Sequence, residues 1–242
     1  MSKHLKKNLK NYCTKNRIRS AVSKSHIFKI SKMTDLILVG KQGSGKGTQA
    51  KILAKKFGYQ IFETGAALRK IANATSELGQ KVKEITTRGD LVPNEIVMEI
   101  VREFLKNADT EKSVIFDGIP RSEEQRQTLE KLLGEMGREF LALEIKLSNG
   151  EAMERLMMRA HCNECGSDFG SAEDECPRCG SFDISRRADD NPESISTRLE
   201  NFEKYTAPLL DKWKTADKLI SVNGEQPVNA VTTEMLAKLN LT

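Results

Sequence analysis

Short apolar runs alternate along this chain with longer stretches whose apolar residues recur at helical spacing. Leu36–Val39, Ser113–Asp117, Phe140–Leu147 and Lys218–Val222 place apolar residues at successive positions, as strands buried on both faces do. The pattern around Ile52, Leu53 and Phe57 predicts a helix after the first strand. Further helices are predicted over Ala66–Ala74, Glu77–Arg88, Asn94–Asn107, Glu123–Leu133, Glu151–Ala160, Pro192–Lys214 and Val228–Leu239. Strands alternating with helices predict an α/β fold: a parallel sheet flanked by helices on both faces. The rhythm breaks at His161–Arg187, which is rich in Gly, Cys, Asp and Ser and poor in large apolar residues. That stretch reads as a small inserted module.

A chain of 242 residues is long enough to bury a real core. No run approaches the ~18 apolar residues of a membrane helix, so no membrane contact is expected. The formal charge of +5 on its own would suggest an anionic partner such as nucleic acid. Its distribution removes that suggestion. Residues 1–32 hold ten Lys or Arg and no acid, leaving 29 basic against all 34 acidic residues in 33–242. The body of the chain is therefore acidic, and 1–32 is expected to be a basic, disordered extension. It lacks the apolar stretch of ~7–15 residues of a secretory signal. Its only arginines are Arg17 and Arg19, which argues against an Arg-rich transit peptide. Cytoplasmic location is expected, with organelle import the less favoured alternative and Met33 an alternative start.

The first strand runs into Gly40-Lys41-Gln42-Gly43-Ser44-Gly45-Lys46-Gly47-Thr48. Glycines let the backbone turn its N–H groups toward phosphate oxygens, and the following helix adds the positive end of its dipole. Lys46 can reach β- and γ-phosphates, and Thr48 can serve phosphate or magnesium. Phosphoryl transfer then asks for further cations, and Arg suits because its planar fork fits phosphate oxygens in pairs.

The generic pattern puts Ser or Thr directly after the Lys, whereas Gly47 intervenes here. That departure resembles the loop of the adenylate kinase family. Further stretches resemble the family in order: Thr64-Gly65 with Leu68-Arg69, Leu91-Val92, Asp117-Gly118-Ile119-Pro120-Arg121, Arg186-Arg187-Ala188-Asp189-Asp190, Arg198-Leu199 and Tyr205–Leu209. The resemblance covers Asp35 to the C-terminus. It implies a core of 33–63, 90–160 and 188–242, a helical monophosphate-binding insert at 64–89 and a lid at 161–187. Gly43, Ser44, Gly45, Lys46, Gly47, Thr48, Arg155 and Gln226 would then bind ATP. Thr64, Arg69, Val92, Gly118, Arg121, Gln125, Arg187 and Arg198 would bind AMP. Lys46, Arg121, Arg155, Arg159, Arg187 and Arg198 would surround the migrating phosphoryl group. Arg155 and Arg159, four apart, are expected on one helix face. Asp117, ending an apolar strand, would hold magnesium or its waters. Gln125 would read the adenine edge, and Asp189 and Asp190 would be either partners of the arginines or a helix-start acid pair. One departure stands out: Ala66 occupies a position where the family commonly has Asp.

Cys162-x2-Cys165-x10-Cys176-x2-Cys179 has two knuckles, each followed by Gly. Four thiolates so spaced fit a closed structural zinc site, with an iron–sulfur cluster or two disulfides as alternatives. The spacer is shorter than that of a zinc ribbon. Across His161–Gly180 the only base is Arg178, against Glu164, Asp168, Glu173, Asp174 and Glu175, a surface that repels nucleic acid. The expected activity is reversible transfer from magnesium-ATP to AMP giving two ADP, by a monomer. The alternatives are UMP, CMP or GMP as acceptor, or a nucleotide- or nucleic-acid-binding zinc protein without turnover.

Overall fold

The computed structural model describes residues 34–170 and 174–241. The basic extension, Met33, Cys13 and Glu173 lie outside them. Five strands form one parallel sheet in the order β2-β3-β1-β4-β8. They are β1 (Thr34–Val39), β2 (Gln60–Glu63), β3 (Val114–Asp117), β4 (Glu139–Lys146) and β8 (Leu219–Asn223). The helices are α1 (Lys46–Phe57), α2 (Thr64–Ala72), α3 (Glu77–Arg88), α4 (Asn94–Asn107), α5 (Glu123–Glu135), α6 (Asn149–Met157), α7 (Pro192–Asn201), α8 (Ala207–Thr215) and α9 (Val228–Leu239). The sheet is thus wrapped as its alternating pattern requires.

Because side chains alternate along a strand, β1 feeds two cores at once. Ile37 and Val39 pack with Val101 of α4, Leu129 of α5 and Trp213 of α8. Leu36 and Leu38 pack with Leu53 of α1 and Met235 and Leu239 of α9. Every position of β1 is buried, which is why its apolar run is continuous rather than alternating. Its first two positions, Thr34 and Asp35, are polar, and Asp35 is the charged one. It accepts two hydrogen bonds from Arg138 at 2.7 Å and one from the Val114 N–H at 2.8 Å, tying β1 to β3.

Several expectations needed correction. The edge strand β2 was not anticipated, because only Ile61 and Phe62 in it are apolar. Helix α2 starts at Thr64 rather than Ala66, and α6 ends at Met157. Arg159 therefore opens a strand and does not share a helix face with Arg155. The single helix expected over Pro192–Lys214 contains a π-helical turn at Phe202–Thr206 between α7 and α8. The inserted module holds a second sheet, in the order β6-β5-β7, made of β5 (Arg159–Cys162), β6 (Asp168–Gly170) and β7 (Ile184–Ser185). Among the described residues no helix is long and apolar enough to cross a membrane.

Candidate active site

The loop after β1 turns through Gly40, Gly43 and Gly45, with φ of 151°, 83° and 89°. At Gly40 a Cβ would lie 2.5 Å from the Ile145 carbonyl oxygen, so only glycine lets the loop pass β4. Gly43, Ser44 and Gly45 lead into α1, which begins with Lys46, Gly47 and the exposed Thr48. Lys46 Nζ donates to the carbonyls of Gly40 and Lys41, at 2.8 and 2.9 Å. Burial lowers the Lys46 pKa to about 8, with the Asp117 carboxylate opposing and Arg121 and Arg159 adding to the fall. The charges predicted from separate motifs thus act on one ammonium.

Parallel pairing brings the ends of β2 and β3 together, placing Glu63 beside Asp117 in register. Asp117 Oδ2 and Glu63 Oε1 approach Gly47, at 3.4 and 4.0 Å from where its Cβ would stand. Burial raises the Asp117 pKa, Lys46 opposes this and Glu63 reinforces it. Hard carboxylate oxygens at the start of a phosphate-loop helix fit magnesium, which takes one or two carboxylates and keeps several waters. The sequence reading did not single out Glu63; the missed edge strand was the signal that would have found it.

The turn after β3 carries Gly118, with φ of 83°, and a cis Ile119–Pro120 bond. Arg121 Nε donates to the Gly118 carbonyl at 3.0 Å, fixing the guanidinium beside Thr64. The Thr64 hydroxyl is buried and has no hydrogen-bond partner. Arg69 folds back over Gly65, and no hydrogen bond or ion pair holds it among the described residues. Burial lowers the Arg121 pKa, with Asp117 opposing and Arg198 and Arg69 among the groups acting on it. Val92 is buried just before α4. Gln125 Oε1 accepts from the Arg121 N–H at 2.8 Å, so one side of its amide serves the loop. Gln226 Nε2 donates to Glu234 and to the Asn223 carbonyl in the turn after β8.

Arg155 Nη1 donates to the carbonyls of Gly43 and Gly224, at 3.4 and 3.0 Å, and so lies against the phosphate loop. Arg159 grips Asp190 with two hydrogen bonds, and Arg198 binds both Asp189 and Asp190. Burial pulls the Arg159 pKa down, but Asp190, helped by Asp168 and Asp189, more than offsets it and the net shift is upward. Asp189 and Asp190 are therefore partners of the arginines. Arg187 donates to Asp168, and its buried Nε has no partner. His161 Nδ1 lies 2.8 Å from the same carboxylate.

The four cysteine sulfurs all lie within 4.8 Å of one another, with Cys162–Cys179 at 3.6 Å and Cys165–Cys176 at 3.5 Å. A tetrahedral zinc with Zn–S of about 2.3 Å separates its sulfurs by roughly 3.8 Å, so the cluster fits one ion. None of these pairs is at bonding distance, which removes the two-disulfide alternative. A polynuclear iron–sulfur cluster would spread its thiolates further.

A phosphate loop with its Lys46, a strand-end acid, Arg155 against the loop, Arg121 in the turn after β3 and Arg159 and Arg187 of the inserted module supply the cations that phosphorylated substrates need. That makes the protein a nucleotide-phosphorylating kinase of the phosphate-loop class. The family model described as "Adenylate kinase" matches residues 38–218. An adenylate kinase of Bacillus cytotoxicus is 37% identical over 204 residues, 81% of this chain and 94% of that protein. An adenylate kinase of Caldicellulosiruptor bescii is 36% identical over 213 residues, 85% of this chain and 99% of that protein. The chain belongs to the adenylate kinase family, whose chemistry is phosphoryl transfer to nucleoside monophosphates.

Proposed function

We propose that the protein transfers the γ-phosphoryl group of ATP to AMP, reversibly, giving two ADP. An oxygen of the AMP phosphate forms the new bond to the γ-phosphorus, and the bond from that phosphorus to the β-bridging oxygen breaks. The observation that carries this reading is the convergence on the phosphate loop of Arg155, which donates to the Gly43 carbonyl at 3.4 Å, and of Asp117 Oδ2, 3.4 Å from where a Gly47 Cβ would stand, with Arg121 beside Thr64 in the turn that follows Asp117.

In this reading the loop residues 43–48 and Arg155 hold the triphosphate, with Gln226 on the same side. Arg69 and Arg121 hold the monophosphate, and the buried Thr64 hydroxyl has no protein partner to give up for it. Val92 and Gly118 line that substrate, and Gln125 offers its amide N–H to the base. Arg159, Arg187 and Arg198 meet the phosphates from the module side. Asp117, with Glu63 beside it, would hold magnesium or its waters, and the ion when bound neutralises β- and γ-phosphate oxygens. Zinc on Cys162, Cys165, Cys176 and Cys179 would give shape to a module too small for its own core. We place the monophosphate-binding insert at 64–89 and the lid at 161–187, where lid closure would exclude water. All these groups come from one chain, which supports a monomer. Four unpaired thiols suit a reducing compartment such as the cytoplasm.

Titration with a bisubstrate analogue, two adenosines bridged by five phosphates, tests the two-site geometry. Binding of one analogue per chain, in competition with both ATP and AMP, is expected. Competition with ATP alone would refute it.

A further inference from the structure

Alternation along the module sheet sorts its side chains onto two faces. In β5, Arg159 and His161 share one face, while Ala160 and the metal-site residue Cys162 share the other and are buried. Antiparallel pairing sets Asp168 of β6 directly across from His161, and β7 sets Ser185 on its other side. Arg187 lies two residues beyond Ser185 and donates to Asp168. Arg159 Nη1 lies 4.0 Å from the same carboxylate and His161 Nδ1 2.8 Å from it. One acid therefore sits among three potential cations on the polar face of the sheet. Arg159 on this face is also one of the charges that lower the pKa of Lys46 in the phosphate loop.

We propose that Asp168 stands where a phosphate of the triphosphate must sit, so that ATP binds by displacing this carboxylate from Arg187 and Arg159. The inference rests on the reading that these arginines meet ATP. The Arg187 guanidinium is half used: its Nε is buried without a partner while an Nη serves Asp168. A guanidinium offers paired donors suited to two oxygens of one anion. Asp190 is a different kind of partner. It grips Arg159 at 2.6 and 2.7 Å and is itself buried, so it fixes Arg159 while leaving the side facing Asp168 available. The Asp168 side chain keeps 31% of its surface exposed, and an exchangeable counter-ion has to be reachable. The displacement costs ATP affinity, and the returning carboxylate speeds nucleotide release.

Neutralising Asp168 removes the competitor and keeps its shape. Binding of a non-hydrolysable ATP analogue to the zinc-loaded full chain, measured by calorimetry, tests this with Asp168→Asn and Asp168→Ser. The dissociation constant should fall by about three- to tenfold, a modest factor because the pair is partly solvated. Asp168→Glu should keep the wild-type value. A residue that merely orients Arg187 would give the opposite sign. Unchanged or weaker analogue binding in variants with full zinc content overturns the proposal. If neither variant retains zinc, the side-chain carboxyl resonance of Asp168 in the wild-type chain decides. A shift on adding the analogue supports displacement, and no shift overturns it. Wild-type protein that takes up no analogue refutes the ATP reading itself, a separate outcome from wild-type binding with unaltered variants.

Discussion

Arg159 donates two hydrogen bonds to the buried carboxylate of Asp190, at 2.7 and 2.6 Å, from 31 positions earlier in the chain. All four module cysteines lie between the two residues, so this pair closes the base of the module onto α7. Arg198 donates to the same carboxylate at 3.0 Å. Breaking a buried pair leaves the remaining charges unmatched.

Asp190→Asn should therefore destabilise the protein by about 3 kcal/mol, the low end for such a loss because Arg159 is partly solvated. Chemical unfolding with both proteins zinc-loaded measures it. A change below about 1 kcal/mol would mean that solvent already screens the pair.

Asp117 should trade stability for function. Burial raises its pKa, so the ionised carboxylate at neutral pH is disfavoured in the fold. The sign follows from proton uptake. Between its unfolded and folded pKa values the folded state holds more proton, and stability is lost as pH rises through that window. Asp117→Asn removes the penalty at neutral pH. Melting temperature should stay level or rise, while turnover falls on the order of 100-fold at limiting magnesium. A lowered melting temperature would contradict the assigned electrostatics.

Lys46 offers a direct readout by pH. Its pKa of about 8 in the free protein should rise when anionic phosphates bind beside it. ATP binding near pH 9 should therefore take up protons, seen as a dependence of the binding enthalpy on the buffer. Lys46→Gln should abolish that dependence. Proton release on binding would contradict it.

Removing the metal should act locally first. Chelation should release one zinc per chain, with apparent zinc binding worth on the order of 10 kcal/mol near neutral pH. Hydrogen exchange should then rise across 161–187 while β1, β3 and β4 stay protected. Metal analysis that finds no zinc in active, untreated protein would contradict the four-thiolate site.

Strands β1, β3 and β4 were legible because each is buried on both faces and reads as a nearly continuous apolar run, and the edge strand β8 because its apolar Ile220 and Val222 alternate inward. Strand β2 was not, since an edge strand of four residues with two polar ends carries no such run. The module strands are two to four residues long, held by neighbouring strands and the sulfur cluster rather than by any apolar period. That is why Arg159 read as the last turn of a helix. Motif spacing located Lys46, Asp117, Arg121 and the cysteines, because backbone turns and metal geometry fix those positions locally. Glu63 and Asp168 were missed as site residues, because what brings them in is strand register, Glu63 against Asp117 and Asp168 against His161. Pairing between distant segments leaves no local mark on the sequence.

The most direct test of the central claim is a product assay with magnesium-ATP and each of AMP, UMP, CMP and GMP, the nucleotides resolved chromatographically. The account predicts ADP formed two for one from ATP and AMP, with AMP preferred over the other three acceptors. A clear preference for another monophosphate, or no transfer to any of them, would contradict it.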